Sequence, residues 1–303
     1  PGTWNLFDPT ADSQTLLDYI STAQSTKYDT KLSVLDIVMT GSVNDVEIAT
    51  GFQFRKEEYD VARNEDSIAT FDESGALLSF ADLIFLGGGI ESASDRSAYA
   101  VFVEAAKQAT DRLELRGALR AENLDTDSTI NPKVSMRFEA NDSLVLRGSI
   151  STSFREASLS QLNNSQVGLQ GIQDFDSSGN PVGQASFIRV AQALSKDLKP
   201  EESTNINFGA VWTPDDNLSV KLDYWSIDYE DVITIESAQG KVIANPTGPD
   251  ILRLSDGTLI GVTSKYKNAS EVNTDGYDIE ASYRIDSSIG PVSYTHLRAH
   301  ETQ

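Results

Sequence analysis

The chain has 303 residues, no cysteine, 46 acidic against 24 basic residues and a formal net charge of −22. The lack of cysteine excludes disulfides, thiolate zinc sites and a cysteine nucleophile. The excess of acidic residues excludes nucleic acid as a partner, because phosphate binding requires clustered Lys and Arg. The two histidines, His296 and His300, lie near the C-terminus, so the preceding chain lacks the commonest general base and we expect no catalytic residue, no metal site and no cofactor.

The N-terminal segment gives only a helix signal. The chain opens on Pro1 rather than Met, so we expect the beginning of the protein to lie upstream. Asp12 or Ser13 can cap a short helix that carries Leu16 and further apolar residues, which we interpret as part of a surface loop. The most apolar stretch, 83–90, falls far short of the roughly 20 residues of a transmembrane helix.

From about residue 28 onward, apolar and polar residues alternate with a period of two, which is typical of strands with two different faces. In the run over 112–122, Leu113, Leu115 and Leu119 alternate with charged residues. The runs cover 7 to 18 residues, beyond the 5–6 common in globular strands, and the longer ones are enough for a tilted strand to cross a bilayer. They span 28–41, 46–63, 99–105, 112–122, 133–139, 144–151, 205–212, 218–224 and 277–286.

Short turns and longer loops alternate between these runs, as periplasmic turns and extracellular loops do in outer-membrane barrels. The sequence therefore predicts an all-β fold, an antiparallel up-and-down transmembrane β-barrel that is incomplete, with about 9–10 strands of a larger barrel and long extracellular loops. The turns are predicted at 44–45, 110–111, 141–142, 214–217 and 287–291, and the loops at 64–96, 125–130, 156–198 and 236–270.

The two faces of the runs differ in chemistry. Polar faces with both signs of charge suit a barrel lumen, and Arg112, Arg116 and Arg120 are the candidate lumen-facing residues. The same alternation also fits a soluble sheet with one buried face, in which case the leucine row of 112–122 would lie beneath a second protein layer. Aromatic residues near strand ends fit interfacial girdles: Tyr99, Phe138, Phe154, Trp212, Tyr224 and Trp225.

A calcium-loop spacing begins at Asp174 and continues through Asp176 and Ser178. Its twelfth position is Ala185, where a bidentate Glu belongs, so we interpret the segment as a loop tip. The glycine triplet at 87–89 lacks the spacing and the following helix of a dinucleotide site and is interpreted as a mobile loop hinge.

Catalytic arrangements find little support in the sequence. Adjacent carboxylates such as Glu57 and Glu58 suggest a glycosidase, but pairs of this kind arise by chance in so acidic a chain. The usual serine triad needs a histidine, which only the tail provides. We therefore expect a protein that works by binding.

Several motifs in 131–155 are similar to the barrel of TonB-dependent outer-membrane receptors, with Phe154-Arg155-Glu156-Ala157-Ser158-Leu159 in place of the family's usual Phe-Arg-Ala-Pro-Ser-Leu. The stretches 199–203 and 273–278 resemble the family as well. The positions that carry these motifs look architectural and name no ligand: Asn131, Pro132, Lys133, Arg147, Phe154, Arg155, Gly276 and Tyr277.

This resemblance implies import of a bulky, scarce nutrient across the outer membrane of a Gram-negative bacterium. The family's usual cargo is a ferric siderophore, sometimes haem, cobalamin or an oligosaccharide, and energy comes from the TonB complex through an N-terminal part that this chain lacks. The long loops at 64–96, 156–198 and 236–270 would capture the ligand, and the lumen-facing arginines would contact the plug or the permeant molecule. Seven acidic residues between Glu65 and Asp95 make the first of these loops a poor surface for an anionic siderophore.

We divide the chain into a partial barrel domain, 1–292, and a tail, 293–303, that resembles translated sequencing-adapter DNA and is expected to be non-native. The plug and the C-terminal strand are expected to be missing. Two other functions stay open at the level of sequence. They are a passive porin-like outer-membrane channel without energy coupling, and a soluble β-rich carbohydrate-binding protein or adhesin.

Overall fold

A computed structural model describes residues 5, 7–8, 10, 12–73, 75–81, 87–125, 127–287 and 290–302, with the backbone alone over 286–302. The predicted N-terminal helix is confirmed as α1 (Gln14–Ile20), where the Ser13 side chain accepts a hydrogen bond from the Leu16 amide. Among the described residues no helix is long and apolar enough to cross a membrane.

Long strands make up most of the structure. The long ones are β1 (Thr26–Val43), β2 (Val46–Arg63), β5 (Ser92–Thr110), β6 (Leu113–Asn123), β7 (Ser128–Asn141), β8 (Leu144–Arg155), β11 (Glu201–Trp212), β12 (Leu218–Ile235), β14 (Leu259–Ser287) and β15 (Gly290–Thr302). The shorter strands are β3 (Thr70–Phe71), β4 (Leu77–Ser79), β9 (Gln166–Phe175), β10 (Pro181–Ala193) and β13 (Ile251–Arg253).

The long strands pair as one continuous antiparallel ladder. Within the described residues its order is β1-β2-β5-β6-β7-β8-β11-β12-β14-β15, so each long strand pairs with the next one along the chain. Each of the nine alternating runs coincides with one of these strands, and β15 follows as a tenth. The prediction of a partial up-and-down barrel is confirmed. The backbone of 290–302 pairs with β14. The non-native origin of 293–303 stays a prediction.

The short turns lie close to the predicted positions. Asn44 and Asp45 both have positive φ, 49° and 63°. Two such residues form the two-residue hairpin turn whose twist matches that of its strands. The turns after β5, β7 and β11 follow at 111–112, 142–143 and 213–217. The last predicted turn includes 288–289, which lie outside the described residues.

The loop boundaries differ from the prediction because two strands extend beyond their alternating runs. β5 begins at Ser92 and β14 begins at Leu259, so the connections end earlier than 96 and 270. The added strand residues pair with β2 and with β12 or β10, which continues the ladder past the apolar band. The three long connections are hereafter the first loop (64–91), the second loop (156–200) and the third loop (236–258).

One face of the ladder is apolar and open. Leu115 and Leu119 are 42% and 44% exposed, so no second layer from the described part of the chain covers the leucine row of β6. Cross-strand neighbours continue the apolar surface, as in the row Val134, Ile150 and Ile206. A sheet that leaves this many large apolar side chains uncovered in water would aggregate, whereas hydrocarbon stabilises it.

Aromatic side chains border this apolar face. Tyr224 and Tyr277 pair with ring centroids 5.0 Å apart. Phe138 and Trp212 lie beside the short turns. Trp225 is an exception to the predicted girdle, because its neighbour in sequence occupies the apolar face and the alternation places Trp225 on the polar one.

The opposite, polar face carries rows of ion pairs. The Arg147 guanidinium reaches across β11 to Asp223, with contacts of 3.0 and 2.5 Å. Arg116 pairs with Glu114 on the same strand. Arg120 pairs with Glu122 and also donates to the Gln53 side chain. Charges of both signs on one face, opposite a largely apolar face, match the lumen and lipid sides of a membrane barrel.

Candidate functional site

The loops form a folded layer at the end of the ladder opposite the short turns. The second loop begins with helix α2 (Leu159–Asn163), which has a capping box between Ser158 and Gln161. It continues into the β9–β10 hairpin and returns to the helix, where the Ser195 amide donates to the Gln161 carbonyl. Local capping and pairing therefore give this long connection a structure of its own.

The hairpin joins the ladder through a parallel pairing. Residues 189–193 of β10 run beside 261–265 of β14. Helix α3 (Ala238–Ala244) of the third loop covers this small sheet, and Val190, Val242 and Val262 are almost fully buried between them. The sequence showed no alternation signal for this second core, because the buried parts of its strands are short segments, 188–193 of β10 and 259–264 of β14, that are covered on both faces.

The first loop covers the other side of the same small sheet. Ala69 and Leu77 pack against Val167 and Ala191. The glycine triplet 87–89 makes this approach possible, since a Cβ at Gly87 would overlap the Val167 side chain and Gly88 has a φ of +73°. The interpretation of the glycine triplet as a mobile hinge is therefore wrong, since these glycines are packed and hydrogen-bonded. Without a Cβ, the backbone of the first loop can lie directly against the hairpin.

The carboxylates of the calcium-type spacing at the hairpin are engaged within the protein. The Asp174 carboxylate is bound by the guanidinium of Arg253 at 2.8 and 2.6 Å. Asp176 accepts the backbone amides of Ser178 and Asn180 and so closes the hairpin turn. Within the described part of the chain, no group of three or more His, Cys, Asp or Glu could hold a metal ion.

The Asp174–Arg253 pair connects the second and third loops and predicts a pH dependence. The Arg253 guanidinium holds the pKa of Asp174 below its ordinary value. A lowered folded-state pKa gives stability that is present above the unfolded pKa and is lost as the pH falls through the folded one, so the loops should loosen only below about pH 4. Limited proteolysis of the hairpin at decreasing pH measures this loosening. An R253Q variant should be cleaved faster at neutral pH and should lose the acid-dependent step, and a variant that keeps that step contradicts the assignment.

A cleft of about 990 Å³ opens between the loops. Its wall includes the aromatic side chains Phe71 and Tyr266. A volume of this size accommodates a large small molecule. The charged residues that line it are Asp72, Glu73, Asp197, Asp231 and Glu236, with Lys196, Lys199, Lys265 and Lys267.

Three of the cleft lysines hold no salt bridge within the described residues. These are Lys196, Lys199 and Lys267, whose side chains are exposed. Glu236, in contrast, is engaged by Lys241 at 2.5 Å. The ammonium groups of the three lysines are free to bind an incoming acceptor, although the chain as a whole is strongly acidic. The acidic composition of the first loop did not indicate these free lysines, because they come from the second loop and from β14.

None of the eight motif positions named above lines this cleft, although Lys199 of the stretch 199–203 does. Arg155 holds the buried Glu201 at 2.6 and 2.5 Å, and Asn131 bonds to Thr129 and Thr152. Gly276 lies across from Trp225.

The remaining motif positions and arginines lie on the ladder or its turns. Pro132 and Phe154 share the apolar face, and Lys133 stands on the polar face. Arg112 lies in the turn before β6, beside Asp142 of the next turn. Arg116 and Arg120 stand on the polar face as predicted, but their contact with a plug or permeant molecule stays a prediction.

The comparisons with known proteins agree with this architecture. The family model described as TonB dependent receptor-like, beta-barrel, matches residues 2–303. No curated protein matches the sequence.

Solved structures share the fold at low sequence identity. A ferric enterobactin receptor of Pseudomonas aeruginosa in complex with enterobactin aligns with a TM-score of 0.67 and 14% identity over 92% of this chain and 36% of that one. The siderophore receptor PirA of Acinetobacter baumannii aligns with a TM-score of 0.63 and 14% identity over 91% and 37%. The copper transporter OprC aligns with 0.57 and 15% over 92% and 38%. This chain thus spans little more than a third of each of these structures.

Proposed function

Because this chain belongs to the TonB-dependent receptor β-barrel family, we propose that it forms part of an outer-membrane transporter that binds a bulky, scarce nutrient and imports it with energy from the TonB complex. Its apolar face lies against lipid in the outer membrane of a Gram-negative bacterium, and its polar face lines the lumen. The protein acts by binding and translocation, not by catalysis.

The observation that carries this proposal is the cleft between the three loops. In an outer-membrane barrel the long loops lie outside the cell, so the cleft faces the medium. Its volume of about 990 Å³ suits a molecule larger than a sugar or an amino acid, and its wall combines aromatic surface with charged groups. A folded loop layer with its own core beside the cleft supports a receptor that captures a ligand.

We propose a ferric siderophore as the ligand. The unpaired ammonium groups of Lys196, Lys199 and Lys267 are suited to the anionic oxygens around a chelated ferric ion. Phe71 and Tyr266 offer flat apolar surface to the organic part of a chelator. The acidic residues of the first loop oppose this attraction, so affinity depends on the lysines.

Binding of ferric enterobactin to the detergent-solubilised receptor, measured by isothermal titration calorimetry, tests this proposal. Replacing the three lysines together by glutamine should weaken binding about tenfold, since each exposed charge contact contributes some tenths of a kcal/mol. K107Q, a change at an exposed lysine of β5 outside the cleft, is the matched control and should bind like the wild type. Unchanged affinity of the triple variant excludes the cleft as the anion site.

Uptake separates the proposed receptor from a passive channel. Iron-limited cells that carry the receptor should accumulate ferric enterobactin only while TonB is present. Uptake that continues in a TonB-deficient strain identifies a passive channel. If a neutral ligand such as cobalamin binds more tightly than any ferric chelate, the proposed cargo is wrong, but the proposed receptor function still holds.

A further inference from the structure

A cluster of six charged side chains lies on the polar face where the second loop leaves the ladder. Five of them stand on strands: Arg55 and Glu57 on β2, Arg96 on β5, and Arg120 and Glu122 on β6. The sixth is Glu156, the first residue of the second loop. Three positive and three negative groups make the cluster neutral, and Glu156 is its loop member.

The loop carboxylate is held by two arginines. Glu156 lies 3.5 Å from the guanidinium of Arg55 and 3.5 Å from that of Arg96. The Glu156 and Arg96 side chains are each only 10% exposed. Arg96 also donates to the carbonyl of Ala157 at 2.5 Å, so this arginine holds both a side chain and the backbone of the loop.

The strand members bind one another more closely than they bind Glu156. Arg55 lies 3.0 Å from Glu122, Arg96 lies 2.6 Å from Glu57, and Arg120 also pairs with Glu122. Removing the charge of Glu156 therefore leaves the strand pairs in place. Among the described residues, one carboxylate oxygen of Glu156 and one of Glu122 are buried without a hydrogen bond.

The anchored segment leads directly to the cleft. Ala157 packs with Leu198 and Ile233, and the Ser195 amide is bonded to Gln161 of helix α2. Lys196 and Lys199 lie on either side of Leu198 in the part of the loop that lines the cleft. A shift of the loop at Glu156 and Ala157 is thus transmitted to these lysines through packed residues.

Resting on the function proposed above, we propose that Glu156 is a positioning residue for ligand binding: through Arg55 and Arg96 it fixes the start of the second loop and thereby the cleft lysines. This assigns a binding role to a residue that lies outside the cleft. A ligand whose anionic groups reached the two arginines would compete with Glu156 and release the loop.

Hydrogen exchange in helix α2 tests the proposal without any ligand. The amides of Leu162 and Asn164, which donate to carbonyls within and just before the helix, report on the local opening. In the intact receptor, E156Q should speed their exchange about tenfold at neutral pH, as expected for the loss of one partly buried ion pair. E202Q, a change at an exposed glutamate of β11, should leave exchange unchanged.

A pair of further variants separates positioning from general stability. R96Q should reproduce the effect, and the double variant R96Q/E156Q should be no worse than R96Q alone, because both changes break the same contact.

The experiments distinguish a failure of the positioning role of Glu156 from a failure of the proposed function. Wild-type exchange in E156Q, or strictly additive effects in the double variant, overturns the positioning role. Weaker ferric enterobactin binding by E156Q, with E202Q unaffected, supports it. If no ferric chelate binds the wild type, the ligand assignment fails while the exchange result still decides whether Glu156 anchors the loop.

Discussion

Arginine in place of Val134 should destabilise the protein in phospholipid vesicles by about 2–4 kcal/mol, the cost of a lipid-facing charge near the middle of a bilayer. Val134 is the central residue of the apolar row of β7, between Pro132 and Met136, and its side chain is 57% exposed. No neighbouring strand offers it a carboxylate, since its cross-strand partners are Gly117 and Ile150. The guanidinium must then remain in hydrocarbon or distort the bilayer.

The adjacent residue provides the control. Ser135 lies on the polar face of the same strand, between Arg116 and Ser149, and is also solvent-accessible. S135R introduces the same side chain one position along and should change the free energy of unfolding by less than about 1 kcal/mol. Urea titrations of both variants in vesicles of one lipid composition make the comparison. Equal effects of V134R and S135R would mean that the apolar face does not meet lipid.

Alanine in place of Gly209 should destabilise the barrel by about 1–2 kcal/mol, the range of a charge-assisted hydrogen-bonded pair that is partly exposed. Gly209 lies between Arg147 of β8 and Asp223 of β12 in one cross-strand row. The ion pair passes over the glycine, and a Cβ there would collide with the Asp223 carboxylate and lie 2.7 Å from the Arg147 Nε. The methyl group forces the two side chains apart, so the pair is lost although both its members remain.

A second strand glycine shows whether the effect comes from the ion pair. A Cβ at Gly117 of β6 would meet nothing within 4 Å. G117A should therefore be neutral or slightly stabilising, because alanine restricts the unfolded chain. The variant R147Q should already have lost the pair, and adding G209A to it should cost little. If G209A lowers the free energy of unfolding as much in R147Q as in the wild type, the ion pair does not explain the effect.

The course of the ladder could be predicted from the sequence because each long strand meets two different environments. A period of two between apolar and polar side chains follows directly from the geometry of a strand, so the leucines of 112–122 revealed both the strand and its exposed face. Turn chemistry at Asn44 and Asp45 fixed the register of the first hairpin. The family motifs in 131–155 then identified the kind of barrel.

The loop layer and its cleft could not be predicted in the same way. Val190 of β10 and Val242 of α3 are buried by elements far apart in sequence, and a strand covered on both faces shows no alternation. The acidic composition of the first loop pointed away from an anionic ligand, yet Lys199 and Lys267 reach the same cleft from two other segments.

The sequence by itself determined that this chain is a set of long two-faced strands of a TonB-dependent receptor barrel. Alternation, strand length and turn residues are local properties, and each one acts within a few residues of the chain. Only the tertiary structure showed which lysines share the cleft and which groups contact the start of the second loop. Both depend on charges such as those of Glu156 and Arg96, which folding brings together from distant segments.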